Sequence, residues 1–324
     1  MKPAVVLVTQ FEPTNGQTGE FSRFREAFSL EPIPDSPLPN LLYTNSDGSI
    51  LGIIAGVGAV QTASVITALG MFSRFDLSDS LWLISGIAGG DPARSALGSP
   101  ILTDWCVDGD LAWEIDAREL PEDWPTGLLP LGAKAPYSPP ATDGGVFGSR
   151  YESTPLPKDV LNWAQKLAAS VPLAQSDEAR KEGERYSENP AAASEPCLQV
   201  GATLSAVRFW HGHLMNEWAN RWVELFTSGQ GQFQSSNMED SGTLFAIRFL
   251  HRQGLANADQ VLLIRTVSNF TRPPQGEPAV STLIAEEGEA HFPGFSLALE
   301  NGFRVGEKLI RNWLAGDRPP GRGV

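Results

Sequence analysis

The feature that most constrains this chain is a set of short, unbroken apolar runs, each too short for a buried helix. Residues 4–9 (AVVLVT), the LGIIA stretch ending at 52–55, residues 81–85 (LWLIS) and residues 260–267 (QVLLIRTV) have this form. A strand with one face in water alternates polar and apolar side chains, whereas a strand covered on both faces is apolar throughout. Between two of these runs, residues 61–75 carry helical spacing through Val65, Leu69 and Phe72; residues 100–105 and 107–115 add two further strands. Strand, helix and strand in alternation imply an α/β fold with a mostly parallel sheet covered on both faces.

The middle of the chain departs from that pattern. Residues 121–157 are rich in Pro and Gly and read as a long ordered loop or lid, and residues 176–196 read as a polar, partly helical excursion. Helices are expected over 159–168, 212–227, 241–252 and 295–314, the second with Trp218, Trp222 and Phe226 on one face. With no internal repeat, the reading is one domain over 1–324 with a decorated middle.

Composition excludes several function classes. At 324 residues, 41% hydrophobic and 19% charged, the chain can bury a sizeable core. Its formal charge of −14 excludes nucleic acid and anionic membranes as main partners, because binding phosphate needs an excess of Lys and Arg. Cys106 and Cys197 are too few for a disulfide framework and read as two unpaired buried thiols. Four histidines without an H-E-x-x-H pattern argue against a metal. No stretch reaches the ~18 apolar residues of a bilayer span. The opening run, between Pro3 and Pro13, is a first strand rather than a signal segment. The expected location is cytoplasmic, or periplasmic or secreted if a leader has been removed.

Four motifs carry chemistry. GIIAGVGAVQTA (52–63) is a strand, a glycine turn and a helix start, but Gly58 is followed by Gln61 where a dinucleotide fingerprint needs glycine. No cofactor is implied. ISGIAGG (84–90) runs from a strand expected to end at Ser85 into Gly86, Gly89 and Gly90, a bare backbone that a ligand can approach. SSNMEDSGTLFAI (235–247) opens a helix with Glu239 and Asp240; these acids serve either the helix dipole or the vicinal hydroxyls of a sugar. VLLIRTVSNFTRPPQG (261–276) is a strand expected to end at Val267, followed by Ser268 and Asn269. Asn269 also opens a glycosylation sequon, which a buried strand end would leave inaccessible.

Together, and in this order, the four motifs resemble the nucleoside phosphorylase and nucleosidase superfamily. WEIDARELPEDWPTG (113–127), WHG (210–212), the MED segment and the TRPP turn are similar, over almost the whole chain, to its purine nucleoside permease branch. The resemblance implies a three-layer α/β/α sandwich around a mixed, partly barrelled sheet, a purine nucleoside as ligand, and a homo-oligomer. By position, Met238 and Glu239 match the pair that grips the ribose. Asn269, beside Ser268, matches the residue that hydrogen-bonds N7 of the purine. Thr203 and Leu204 of GATLSA (201–206) match the wall of the base site; Leu204 replaces a frequent Phe, so stacking falls to Phe209 or Trp210. Gly86, Ile87 and Gly89, expected to bind substrate, lie in the loop (84–89) that aligns with the one phosphorylases flank with phosphate-holding side chains.

Two departures bear on the reaction. Where phosphorylases of this superfamily hold phosphate with Arg and Ser, this chain has Ile84 and Ile87, and its first loop reads Phe11-Glu12-Pro13-Thr14 without the usual Arg. Loss of these charge-assisted donors favours water as the nucleophile. Related nucleosidases activate the water with a glutamate of the first loop, which makes Glu12 the expected general base, with Thr14 in the aligned slot. The resulting expectation is a purine nucleosidase. The alternatives are a phosphorylase using Arg94, Arg118 or a neighbouring subunit, and a nucleoside-binding component of an uptake system. Residues 113–127 are expected to fold over the site as a lid.

Overall fold

The computed structural model describes residues 1–13, 17–36, 38, 42–139, 152–285 and 292–319. The first half of the chain forms β1 (Val5–Thr9), α1 (Ser22–Phe28), β2 (Glu31–Pro32), β3 (Leu42–Thr44), β4 (Ile50–Ile54), α2 (Ala59–Met71), β5 (Leu81–Gly90), β6 (Pro100–Asp108), β7 (Ala112–Glu114), β8 (Leu128–Pro130) and β9 (Ser153–Pro155). The second half forms α3 (Lys158–Ala168), α4 (Asp177–Glu184), β10 (Gln199–Ser205), α5 (His213–Phe226), β11 (Phe233–Asn237), α6 (Asp240–Arg252), β12 (Val261–Phe270), α7 (Ala279–Ala285) and α8 (Phe295–Leu314).

The unbroken apolar runs are the central strands, and their side chains divide between two cores. Val6 and Val8 of β1, Ile84 of β5 and Leu263 of β12 pack with Val65, Ile66 and Leu69 of α2 and with Leu244, Ile247 and Leu250 of α6. Their neighbours Val5, Leu7, Leu83, Leu262 and Ile264 face the other way, onto Phe24 of α1, Trp163 of α3 and Val305, Leu309 and Trp313 of α8. Successive strand residues point to opposite faces, so a strand between two helical layers must be apolar at every position. This is the three-layer α/β/α arrangement.

The sheet is mixed. Its order is β11-β10-β6-β12-β5-β1-β4-β3-β2, with β9 paired to β6. β1 pairs in parallel with β4 and β5, β12 with β5, and β10 with β6 and β11. β12 meets β6 antiparallel. β11 also meets β5 antiparallel, with Ser235 opposite Gly90 and Ser236 opposite Gly89. That last pairing closes β5, β12, β6, β10 and β11 into a ring, while β1, β4, β3 and β2 flare outward as open sheet.

Closure of the ring accounts for two differences from the sequence reading. β5 and β12 were expected to end at Ser85 and Val267, but they run to Gly90 and Phe270. The glycine stretch is therefore a strand whose missing side chains let β12 and β11 approach. A Cβ on Gly90 would lie 2.5 Å from Cγ1 of Val267. The two strands expected over 100–115 are one strand to Asp108, then β7, which pairs with β8 in a separate small sheet. Of the segment 121–157, residues 140–151 lie outside the described residues. Both cysteines are free, Cys106 buried and Cys197 exposed rather than buried. Among the described residues no helix is long and apolar enough to cross a membrane.

Candidate active site

The closed ring brings three distant segments to one cavity of about 260 Å³: Ile87 to Gly89 of β5, Ser236 to Glu239 at and just past the end of β11, and Arg265, Ser268 and Asn269 of β12. Gln10 and Phe11 after β1, Glu20, and the rings of Phe209, Phe292 and Phe295 also line it. Phe209 lies parallel to Phe292 with ring centres 6.3 Å apart and an interplanar angle of 18°.

Glu239 opens α6, yet the helix start is satisfied by other groups. Oδ1 of Asn237 accepts from the backbone N–H of Glu239 at 3.1 Å and of Asp240 at 2.9 Å, and Oγ of Ser205 accepts from that of Ser241 at 3.0 Å. Oε2 of Glu239 instead accepts from the Met238 N–H and from Nη2 of Arg265, both at 3.2 Å. The residue is 6% exposed, at the cavity. Burial pushes its pKa up, against the opposing pull of Arg265.

Arg265 is the charge that holds the site together. It sits inside an apolar strand, 1% exposed, and a buried guanidinium must be paired. Its Nε donates to Oδ2 of Asp240 at 2.9 Å, Nη2 to the other carboxylate oxygen of Asp240 and to Glu239, and Nη1 to the carbonyl of Ile87 at 3.1 Å. Burial works against the cation, but Asp240 and Glu239 outweigh it and hold the pKa above its ordinary value.

The second carboxylate of the cavity is Glu20. The chain after β1 loops out and back, the N–H of Glu20 donating to the carbonyl of Phe11 at 3.0 Å. The carboxylate turns into the fold: Oε2 accepts from the N–H of Gln10 at 2.8 Å and of Phe11 at 3.1 Å, and Oε1 from that of Ile87 at 2.8 Å. Burial raises its pKa to about 7, although Arg265 and these N–H groups pull the other way. A group poised there changes protonation state near neutral pH, as a general base must.

Asn269, 4% exposed, lines the same cavity as the carboxylates. Its Oδ1 lies 2.9 Å from Oγ of Ser268, which is also 3.2 Å from the carbonyl of Ala88. A Ser268 hydroxyl donating to Oδ1 leaves Nδ2 as the donor of the amide.

Of the residues singled out from sequence, Met238, Glu239, Ser268, Asn269, Ile87 and Gly89 line the cavity. Five others do not. Glu12 accepts from the N–H of Phe21 at 2.9 Å and from the hydroxyl of Ser22, so its carboxylate fastens the start of α1. Thr14 lies outside the described residues. Oγ1 of Thr203 accepts from Nδ2 of Asn237 at 2.7 Å, one step behind the lining. Leu204 is fully buried against Trp218 and Trp222, because its strand faces α5 there. Trp210 packs edge-on to Trp218 at 5.9 Å, so of the two candidate stacking rings Phe209 is the one at the cavity. Gly86 lies behind the lining, where a Cβ would come 2.5 Å from Nη1 of Arg265 and 2.6 Å from Oε1 of Glu20.

The proposed lid and the alternative cations also lie elsewhere. No residue of 113–127 is in the lining; Arg118 pairs with Asp116 on the surface. Arg94 pairs with Asp91 and donates to Asn220 at 2.7 Å. Glu20 and Arg265 were missed from sequence. Arg265 had a readable signal, a cation within VLLIRTV, whereas Glu20 had none, since only the fold of the first loop turns it inward.

Known proteins share this architecture. The solved 5′-methylthioadenosine/S-adenosylhomocysteine nucleosidase of Neisseria meningitidis, in complex with methylthio-immucillin-A, aligns with a TM-score of 0.54 at 14% identity, over 95% of this chain and 98% of that one. Futalosine hydrolase of Helicobacter pylori aligns with a TM-score of 0.55 at 14% identity, over 96% and 97%. In sequence, the purine nucleoside permease of Candida albicans is 26% identical over 285 residues, 86% of this chain and 68% of that protein. A probable purine nucleoside permease of Schizosaccharomyces pombe is 28% identical over 276 residues, 83% and 77% respectively. The family model described as purine nucleoside permease matches residues 2–316. The chain belongs to the purine nucleoside permease family, built on the fold of the nucleosidases and nucleoside phosphorylases.

Proposed function

We propose that this chain is a purine nucleosidase, hydrolysing the bond between a purine and its ribose. The observation that carries this reading is the pair of buried carboxylates, Glu20 and Glu239, lining one cavity together with the Asn269 amide. Departure of the base leaves positive charge on the sugar and negative charge on the purine, and an enzyme gains rate by stabilising both. Glu239 would accept hydrogen bonds from two adjacent ribose hydroxyls, with Met238 packed beneath. Asn269 would donate to N7, drawing charge off the leaving base. Glu20, in place of the expected Glu12, would take a proton from the attacking water. Solved relatives of the fold are named as nucleosidases and hydrolases, which agrees with this chemistry.

Water is favoured over phosphate by the charge of the site. Among the described lining residues the single cation is Arg265, already engaged by Asp240 and Glu239. A dianionic phosphate would meet two carboxylates and no free donor of opposite charge. The second reading, a nucleoside-binding component of an uptake system, is favoured by the names of the sequence relatives. Incubation with inosine separates these readings. Hypoxanthine released without phosphate supports the nucleosidase, release only with phosphate supports a phosphorylase, and tight binding without release supports a carrier.

A further inference from the structure

Gln10 is a cavity residue whose chemistry the nucleosidase reading leaves unused. It follows β1 directly and is 3% exposed, and among the described residues neither Nε2 nor Oε1 of its amide has a hydrogen-bond partner. An unpaired buried amide is costly, typically about 1–3 kcal/mol by protein mutagenesis. It lines the cavity beside Glu20, whose Oε2 accepts from the Gln10 backbone N–H at 2.8 Å. The point above bare Gly86 where a Cβ would stand lies 3.0 Å from Oε1 of Gln10, 2.6 Å from Oε1 of Glu20 and 2.5 Å from Nη1 of Arg265. Three polar groups of the cavity lining, from three segments, therefore converge beside Gly86.

Resting on the nucleosidase reading, we propose that Gln10 orients the attacking water against Glu20. Water that attacks C1′ must give one hydrogen to a base and anchor the other, so that a lone pair points at carbon. Oε1 of Glu20 accepts one N–H, from Ile87, and keeps a second lone pair for the water. Oε1 of Gln10, an acceptor too weak to act as a base, holds the remaining hydrogen. As the water oxygen bonds to C1′, the C1′–N9 bond breaks and its electron pair leaves with the purine. One water proton passes to Glu20; the other stays on the new anomeric hydroxyl, bonded to Gln10. The departing purine takes its proton from solvent.

Gln10→Met keeps the length of the side chain and removes its hydrogen bonding, so the fold is retained and Tm is not lowered. The expected result is a kcat lower by on the order of 10²-fold with KM within about twofold. Methanol supplies a sharper readout, because after giving its one proton to Glu20 it has no hydrogen left for Gln10. In aqueous methanol the ratio of methyl riboside to ribose should therefore rise in Gln10→Met, which a merely structural role would not produce. An unchanged kcat, an unchanged product ratio, or a raised KM with kcat retained would overturn the role. If the wild-type protein releases no base, the nucleosidase reading fails by itself. A high-resolution crystal structure then still decides on Gln10: an ordered water bridging Oε1 of Gln10 and Oε1 of Glu20 supports it, and its absence overturns it.

Discussion

Glu239 and Glu20 are both buried carboxylates, and their surroundings give them different work. Glu239 is tied to Arg265, and α6 does not use its carboxylate, so truncation to Ala should act on catalysis rather than on the helix. We expect kcat to fall and KM to rise, a combined loss of about 2–4 kcal/mol in kcat/KM, with Glu239→Gln in between. Steady-state kinetics check this; unchanged kcat/KM would remove the sugar-binding role. Glu20 should set the pH profile. As a base it works deprotonated, so kcat/KM should climb with pH and level off above about 7, following its raised pKa. Glu20→Gln should abolish that limb and most of the activity. Stability should move the other way. The folded state holds the Glu20 proton more tightly than the unfolded chain, so the stabilisation is fully present below the ordinary glutamate pKa. It is lost as pH rises to about 7. Melting curves of wild type and Glu20→Gln over that window would show the slope in one and not the other. Met238, Glu239 and Asn269, which all line the cavity, were reached from the sequence through the ordered motifs that carry the family resemblance. Glu20 was not, because its inward turn depends on a loop that folds back on Phe11 and on hydrogen bonds to Ile87, a residue distant in sequence.

At the scale of elements, the site depends on how far β5 runs. Its glycines were read as a loop open to ligand, but backbone pairing extends them into the ring, where they make room for β11, β12 and the side chains of Glu20 and Arg265. Periodicity marks a strand by its side chains, so a strand ending in glycines has no pattern to follow. Gly90→Ala sets a methyl against the branched, fully buried Val267. We expect a loss of about 1–3 kcal/mol in urea unfolding, the usual cost of overpacking. Gly86→Ala meets Glu20 and Arg265 instead, so its larger effect should fall on kcat. Equal effects of the two on stability and activity would argue against this division of roles.

For the whole molecule, unbroken apolar strands were enough to indicate two covering layers, and the order of motifs was enough to indicate the superfamily fold. The partly barrelled sheet followed from the resemblance, but which strands close it was not legible, since the pairing of β11 with β5 joins segments that share no local pattern. The family resemblance also implies a homo-oligomer, which we propose for this chain. The outward face of α2 and α6 exposes Val60 (79%), Met71 (62%) and Phe245 (43%), an apolar patch suited to a second copy of this chain. Sedimentation should give a dimer or larger assembly, and Phe245→Glu should shift it towards monomer; a wild-type monomer at micromolar concentration would contradict this. The central claim, that water attacks the sugar, is tested most directly by the mass of the sugar released from inosine in saturating phosphate. Free ribose, at a rate independent of phosphate, is the expected product, and ribose 1-phosphate would contradict it.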